Sequence, residues 1–275
     1  MNKSKTLMAL LKHTILILGA VVMLFPFFWA FSTSFKSLRE IFRNPFSLFP
    51  AHPTWSNYVA IFSKIPFARY ILNSFVVASA TTLFQIITAV LGAYAFSRMD
   101  FKGKNFAFYS LLATMMIPSQ LLMIPQYLVV AKFGWINTYE GLVLPYAATA
   151  ISTFFMRQFF LTIPRELEDA AIIDGCNQFQ ILTKIFLPLS KPAISTIAVF
   201  SFMWSWNGYF WPLLVVNVPD MRTIQLGLAM FRTQGGIQWG QFMAGTIIAT
   251  LPILVVYFFA QKHFIKSITL TGLKG

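Results

Sequence analysis

Four of the chain's eight acidic residues, Glu166, Glu168, Asp169 and Asp174, fall within nine positions, in the stretch RELEDAAIIDGCNQFQILTKIFLPLSKP. Carboxylates grouped in this way offer charge-assisted hydrogen bonds to a basic partner. No catalytic arrangement competes with that reading. His13, His52 and His263 lie far apart, and Cys176 is the lone cysteine, which excludes an internal disulfide and a cysteine-rich metal site. There is no G-x-x-x-x-G-K-[ST] phosphate loop and no nucleophile–base or metal-ligand spacing. The chain is therefore expected to be non-catalytic, with no cofactor or metal bound directly. A second group lies inside apolar runs: Asn73, Gln120 and Asn207, with Trp204 and Tyr209 close to Asn207. Polar residues in such runs are functional candidates by default. Sugars favour aromatic faces flanked by hydrogen-bonding groups, so these five are candidates for a solute path. The alternative for the tryptophans is an interfacial belt or helix packing.

The composition decides which elements must hold these residues. The chain of 275 residues is 57% hydrophobic and only 11% charged, with mean hydropathy +0.68, whereas a soluble domain is usually nearer a quarter charged. This is the composition of an integral membrane protein. The net charge of +13 would suit nucleic acid, but the basic residues fringe the apolar runs instead of forming one patch, so no nucleic-acid partner is expected. Stretches poor in charge predict an all-α, polytopic protein, one transmembrane domain over residues 1–275. Its six spans are placed near 13–35, 70–97, 105–131, 139–161, 193–217 and 239–261. The first run is long for a signal peptide and is read as an uncleaved span. The fourth is short, and Arg157 is expected to snorkel at its end. Pro118, Pro125 and Pro252 are expected to interrupt spans three and six. With the N-terminus inside, thirteen of the twenty-one Lys and Arg residues fall on the inner side. The positive-inside rule then places both termini and residues 162–190 in the cytoplasm.

Within 162–190 the local signals predict a helix–turn–helix outside the membrane. Thr162 is a candidate N-cap, with Pro164 in the first turn. Glu166, Glu168 and Asp169 suit the positive end of the helix dipole. Leu167, Ala170, Ala171 and Asp174 form a stripe of mostly small residues at i, i+3, i+4, i+7 spacing. Gly175 can end the helix in the left-handed conformation. Asn177 and Gln180 form a capping box for a second helix, with Phe179, Leu182, Ile185 and Phe186 on one face and Pro188 at its end.

The segment DAAIIDGCNQFQILTKIFLP resembles the EAA loop of ABC importer permeases at Asp169, Ala170, Ala171, Gly175, Ile185, Leu187 and Pro188. The usual first residue is glutamate; here it is Asp169, with Glu168 just before it, so either carboxylate can carry the role. GAYAFSRMDFKGKN, MIPSQLLMIPQYLV, SFMWSWNGYFWPLLVV and the terminal GLKG are similar to the shorter permease subunit of maltose-type carbohydrate importers. Gly208 departs from the pattern, standing where an acid is common. The resemblance covers nearly the whole chain and implies a permease subunit of the bacterial inner or plasma membrane. It implies a second, different permease as partner, two ATP-binding subunits that use ATP and Mg, and an extracellular or periplasmic solute-binding protein. It implies ATPase docking through Glu168, Asp169, Ala170, Ala171, Asp174, Gly175, Ile185, Leu187 and Pro188, with a tail contact at Lys274. The implied solute is a sugar or oligosaccharide. The alternative is another polar solute such as glycerol-3-phosphate, whose charge would call for Lys or Arg in mid-span, and none is there. A stand-alone secondary transporter would be expected to show acids within spans and internal symmetry, and neither is evident.

Overall fold

The computed structural model describes residues 3–233 and 236–271, with side chains over 7–232, 236–259 and 261. Lys274 lies outside the described residues. Contacts divide the chain into two compact units, residues 1–67 with 227–251 and residues 68–226 with 252–275.

In the first unit α1 (Lys3–Ser34) runs unbroken through Pro26. Its side chains from Leu7 to Trp29 are exposed, so an apolar helix has no protein cover, the condition of a lipid-facing span. Its C-terminal end is instead buried and polar. Asn57 Nδ2 donates to the carbonyls of Ser34 and Lys36, each at 2.8 Å, which supplies partners to carbonyls that a helix end leaves free. The short α2 (Leu38–Arg43) follows, and Asn57 belongs to α3 (Ser56–Lys64). The first turn of the last helix, Trp239–Thr271, meets Asn57 closely: a Cβ on Gly240 would lie 2.5 Å from Asn57 Nδ2. Among the described residues the one ladder is a two-residue antiparallel pairing of Arg232–Thr233 with Gly236–Ile237.

The second unit follows the start of α4 (Phe67–Arg98), a continuous helix of 32 residues. The next run, expected over 105–131 as one span interrupted by proline, is broken at Pro118. It forms α5 (Lys104–Ala113) and a 3-10 turn, then breaks at Ile117–Pro118, and α6 (Ser119–Lys132) departs at 104°. Proline lacks an N–H and forces the residue before it out of the helical region; Ile117 is extended, at φ −86° and ψ 118°. Pro125 and Pro252, by contrast, sit inside continuous helices and interrupt neither. The 139–161 run is also divided. α7 (Tyr139–Val143) passes through a 3-10 turn, residues 147–149 are non-helical, and α8 (Ala150–Leu161) restarts with Thr149 as its N-cap. Arg157 lies in the last turns of α8.

Thr162 does not cap the next helix. It is the C-cap of α8, its hydroxyl donating to Phe159 O at 2.7 Å, and α9 (Glu166–Ile173) starts after Arg165 without a side-chain cap. Gly175 follows with φ +79°. α10 (Gln178–Ile181) then begins at a capping box in which Asn177 and Gln180 exchange backbone-to-side-chain bonds of 2.9 Å. A π turn over Leu182–Phe186 carries it into α11 (Leu187–Leu189). The helix ends at Leu189, one residue past Pro188, as expected, and the chain bends by 77° into the next helix. The widened turn before Pro188 interrupts the regular ladder, so its ring and missing N–H are accommodated. Phe179 is exposed, while Leu182 and Phe186 are buried, so the expected apolar face is only partly used. The 193–217 run divides into α12 (Lys191–Trp206) and α13 (Phe210–Val215) around Asn207–Tyr209. Among the described residues, three helices are long and apolar enough to cross a membrane: α1 from Leu7, α4, and Trp239–Phe259. The bent pairs α5–α6 and α10–α12 pass the same test as pairs.

Candidate functional site

The acidic stretch sorts its residues by direction. On α9, Asp169 and Ala170 are exposed, as are Asp174 and Gly175 at its end, and Pro188 further on. Ile173 is 85% exposed, with Ile172 and Phe179 also open. With Glu166 also exposed, the outer surface is therefore three carboxylates and a small alanine beside bare isoleucines. Ala171 faces inward, into a core with Met156, Phe160, Ile181 and Phe186; Ile185 and Leu187 pack against that core. Of the nine residues read as one docking set, four thus line the base of the knob and five its surface.

Glu168 belongs to the base, and Arg98, at the last turn of α4, is the reason. The two side chains are 12% and 4% exposed and 3.5 Å apart. Arg98 also donates 2.5 Å bonds to the carbonyls of Phe160 and Ile163, and its guanidinium lies 4.9 Å from the centre of the Phe186 ring. Arg157 of α8 reciprocates: its Nε donates to Phe96 O of α4 at 3.1 Å, and its guanidinium lies 4.1 Å from the Phe108 ring centre. One residue from each helix thus bonds to the other helix's terminal turns, where carbonyls have no intrahelical partner. Tyr94 OH donates to Gln178 Oε1 at 2.5 Å and ties α4 to α10 as well. Close approach of α4 to α8 is possible because Ala89, Gly92 and Ala93 are small; a Cβ on Gly92 would lie 3.1 Å from Thr153 Cγ2.

A cavity of about 1110 Å³ lies in the same unit, where the broken runs meet. Its wall includes Gln85, Ser119, Gln120, Tyr146, Thr149, Trp204, Asn207, Tyr209 and Trp211, and every lining residue is uncharged. The breaks expose backbone carbonyls, and α4 satisfies them: Gln85 Nε2 donates to Tyr146 O and Thr88 Oγ1 to Ala147 O, each at 2.9 Å. Ser201 Oγ donates to Gln85 Oε1 at 2.5 Å. The Tyr146 ring meets Trp204 and Trp211 edge-on, at 4.7 and 5.8 Å between centres. The result is an aromatic wall with amide and hydroxyl groups fixed between the rings.

Four of the five sequence candidates, Gln120, Trp204, Asn207 and Tyr209, reach this cavity. Asn73 does not. It is fully buried and committed, with Nδ2 donating to the carbonyls of Asp220 (2.8 Å) and Arg222 (2.9 Å) and Oδ1 accepting from Tyr139 OH (2.7 Å). Tyr146 and Thr149 were not legible as wall residues, because their exposure depends on the break at 147–149. Arg98 carried a faint signal only, a charge closing an apolar run, which snorkelling would also explain.

The sequence profile of the family described as "Binding-protein-dependent transport system inner membrane component" matches residues 85–270. The sn-glycerol-3-phosphate transport system permease protein of Brucella abortus (strain 2308) is 38% identical over 271 residues, covering 95% of this chain and 96% of that protein. The arabinooligosaccharides transport system permease protein of Halalkalibacterium halodurans is 34% identical over 259 residues, 93% of each chain. Among solved structures, a chain of a bacterial ABC transporter involved in the import of the acidic polysaccharide alginate superposes with TM-score 0.84 at 25% identity, covering 96% of this chain and 99% of its own.

Proposed function

We infer the role of this chain from its family: it belongs to the binding-protein-dependent transport system inner membrane components. It is a non-catalytic permease subunit of an ABC importer, and its solute is a carbohydrate. It crosses the bacterial cell membrane six times, with both termini in the cytoplasm. Three spans are continuous helices and three are broken: α5–α6, α7–α8 and α12–α13. A second, different permease stands beside it. Two ATP-binding subunits, which use ATP and Mg, attach on the cytoplasmic side, and a solute-binding protein delivers the sugar outside.

The observation that carries this reading is the knob of α9 and α10, with Asp169, Ala170 and Ile173 outward on a buried base. Asp169 is the charged docking residue, because Glu168 is already paired inside. The ATP-binding subunit's closure pulls on the knob, and the helices rooted in the same core follow. Asp169→Lys and Gly175→Pro should each lower uptake and co-purification of the ATP-binding subunit while the amount of permease in the membrane stays normal. Unchanged uptake in both variants would reject the docking role.

The uncharged aromatic cavity supports a neutral solute, since an anion there would keep much of its desolvation cost. A second reading, glycerol-3-phosphate, is favoured by the 38% identity to the Brucella protein. Calorimetric titration of the solute-binding protein encoded beside this chain separates them. An arabino-oligosaccharide should bind and sn-glycerol-3-phosphate should not; the reverse would establish the second reading.

A further inference from the structure

We propose that Arg98 is the positioning residue through which movement of the docking knob reaches the membrane helices; the proposal rests on the reading of α9 as the ATPase-docking helix. Four segments meet at this one side chain. Arg98 stands on α4, bonds to the carbonyls of Phe160 and Ile163 at and after the end of α8, pairs with Glu168 of α9, and lies over the Phe186 ring of the turn beyond α10. Arg157 closes the same joint from the other side through Phe96 O. The ends of α4 and α8 are therefore clasped to each other twice, and α9 is attached to the clasp by a single buried ion pair.

That arrangement has a mechanical consequence. α9 is short and has no side-chain N-cap, and it joins α8 through Thr162–Arg165. A pull on its outer face reaches α8 through that connection and through the packing of Ala171 beside Met156 and Phe160. Through Glu168 and Arg98 it reaches α4 and α8 together. The bond from Tyr94 OH to Gln178 provides a parallel, weaker tie from α4 to the second helix of the knob. Arg98 Nε is buried without an acceptor among the described residues. A pair serving stability alone would act equally on every property of the transporter. A joint acts on the link between nucleotide and cavity.

The test uses the assembled transporter, with its ATP-binding subunits, in lipid nanodiscs. Cys176→Ser removes the native thiol and Ser119→Cys places a reporter on the cavity wall. The reaction rate with a membrane-impermeant maleimide is measured without nucleotide and with ATP plus vanadate. In the parent the two rates should differ by at least about fivefold, the low end of ordinary coupling between sites. In Glu168→Gln and Arg98→Lys the ATP-binding subunits should still co-purify, and the two rates should differ by less than about twofold. Tyr94→Phe, which keeps the ring and removes one bond, should fall between. If Glu168→Gln and Arg98→Lys fail to fold, Glu168→Asp, which keeps the charge and draws it back from Arg98, carries the test. A parent-like response in Glu168→Asp would then overturn the proposal, as would a parent-like response in the assembled charge variants. Loss of subunit binding in Glu168→Gln with the fold intact would also overturn it, since Glu168 would then be a docking residue. A parent that shows no nucleotide response would reject the docking reading itself, which distinguishes the two failures.

Discussion

At the scale of single residues, neighbouring positions of one chemical type have opposite assignments. Glu168 and Asp169 are adjacent carboxylates, yet one is held against Arg98 and the other is open. A helix turns about 100° per residue, so adjacent side chains cannot share a face. The motif spacing placed both in the sequence reading; only the location of Arg98, seventy positions earlier, separates them. The tryptophans divide in the same way. Trp204 lies on the cavity wall, whereas Trp206 is 1% exposed and stacks on Phe202 at 5.7 Å. Trp206→Ala should remove a packed ring from the core and destabilise the permease by roughly 3–5 kcal/mol, read as a lower melting temperature in detergent and less protein in the membrane. Trp204→Ala should leave both unchanged and reduce carbohydrate uptake.

At the scale of elements, what the sequence made legible was chemistry that acts within a few residues. The Asn177–Gln180 box and the left-handed Gly175 follow from local geometry, and both are present. Asn177→Ala removes a cap worth about 1 kcal/mol. Amide exchange at Gln178–Ile181 should accelerate accordingly, with α8 unaffected; uniform protection would contradict the cap's role. The breaks at 147–149 and 207–209 were hidden, because an unbroken apolar run fits one long helix as well as two short ones; the break at 117–118 was signalled by Pro118. Pro118 breaks its run, but Pro26, Pro125 and Pro252 do not. At the 147–149 break, by contrast, the freed carbonyls are satisfied by groups distant in sequence, Gln85 and Thr88. Thr162 was misread for the related reason that a threonine at a helix boundary serves either the end of one helix or the start of the next.

At the scale of the whole molecule, composition and charge distribution were enough to place the chain in a membrane, and the family match agrees. The same broken runs that blur the count of helices also line the cavity. The knob and the cavity lie in one unit, with α4 contributing to both through Arg98 and Gln85. The central claim is that the exposed face of α9 meets the ATP-binding subunit on the cytoplasmic side. Site-directed photocrosslinking tests it most directly, with a photoreactive amino acid at Ile173, 85% exposed on the knob, and separately at Phe46, 89% exposed between α1 and α3. Irradiation of intact membranes should join position 173 to the ATP-binding subunit and position 46 to none. Absence of that product from position 173, or its appearance from position 46, would contradict the account.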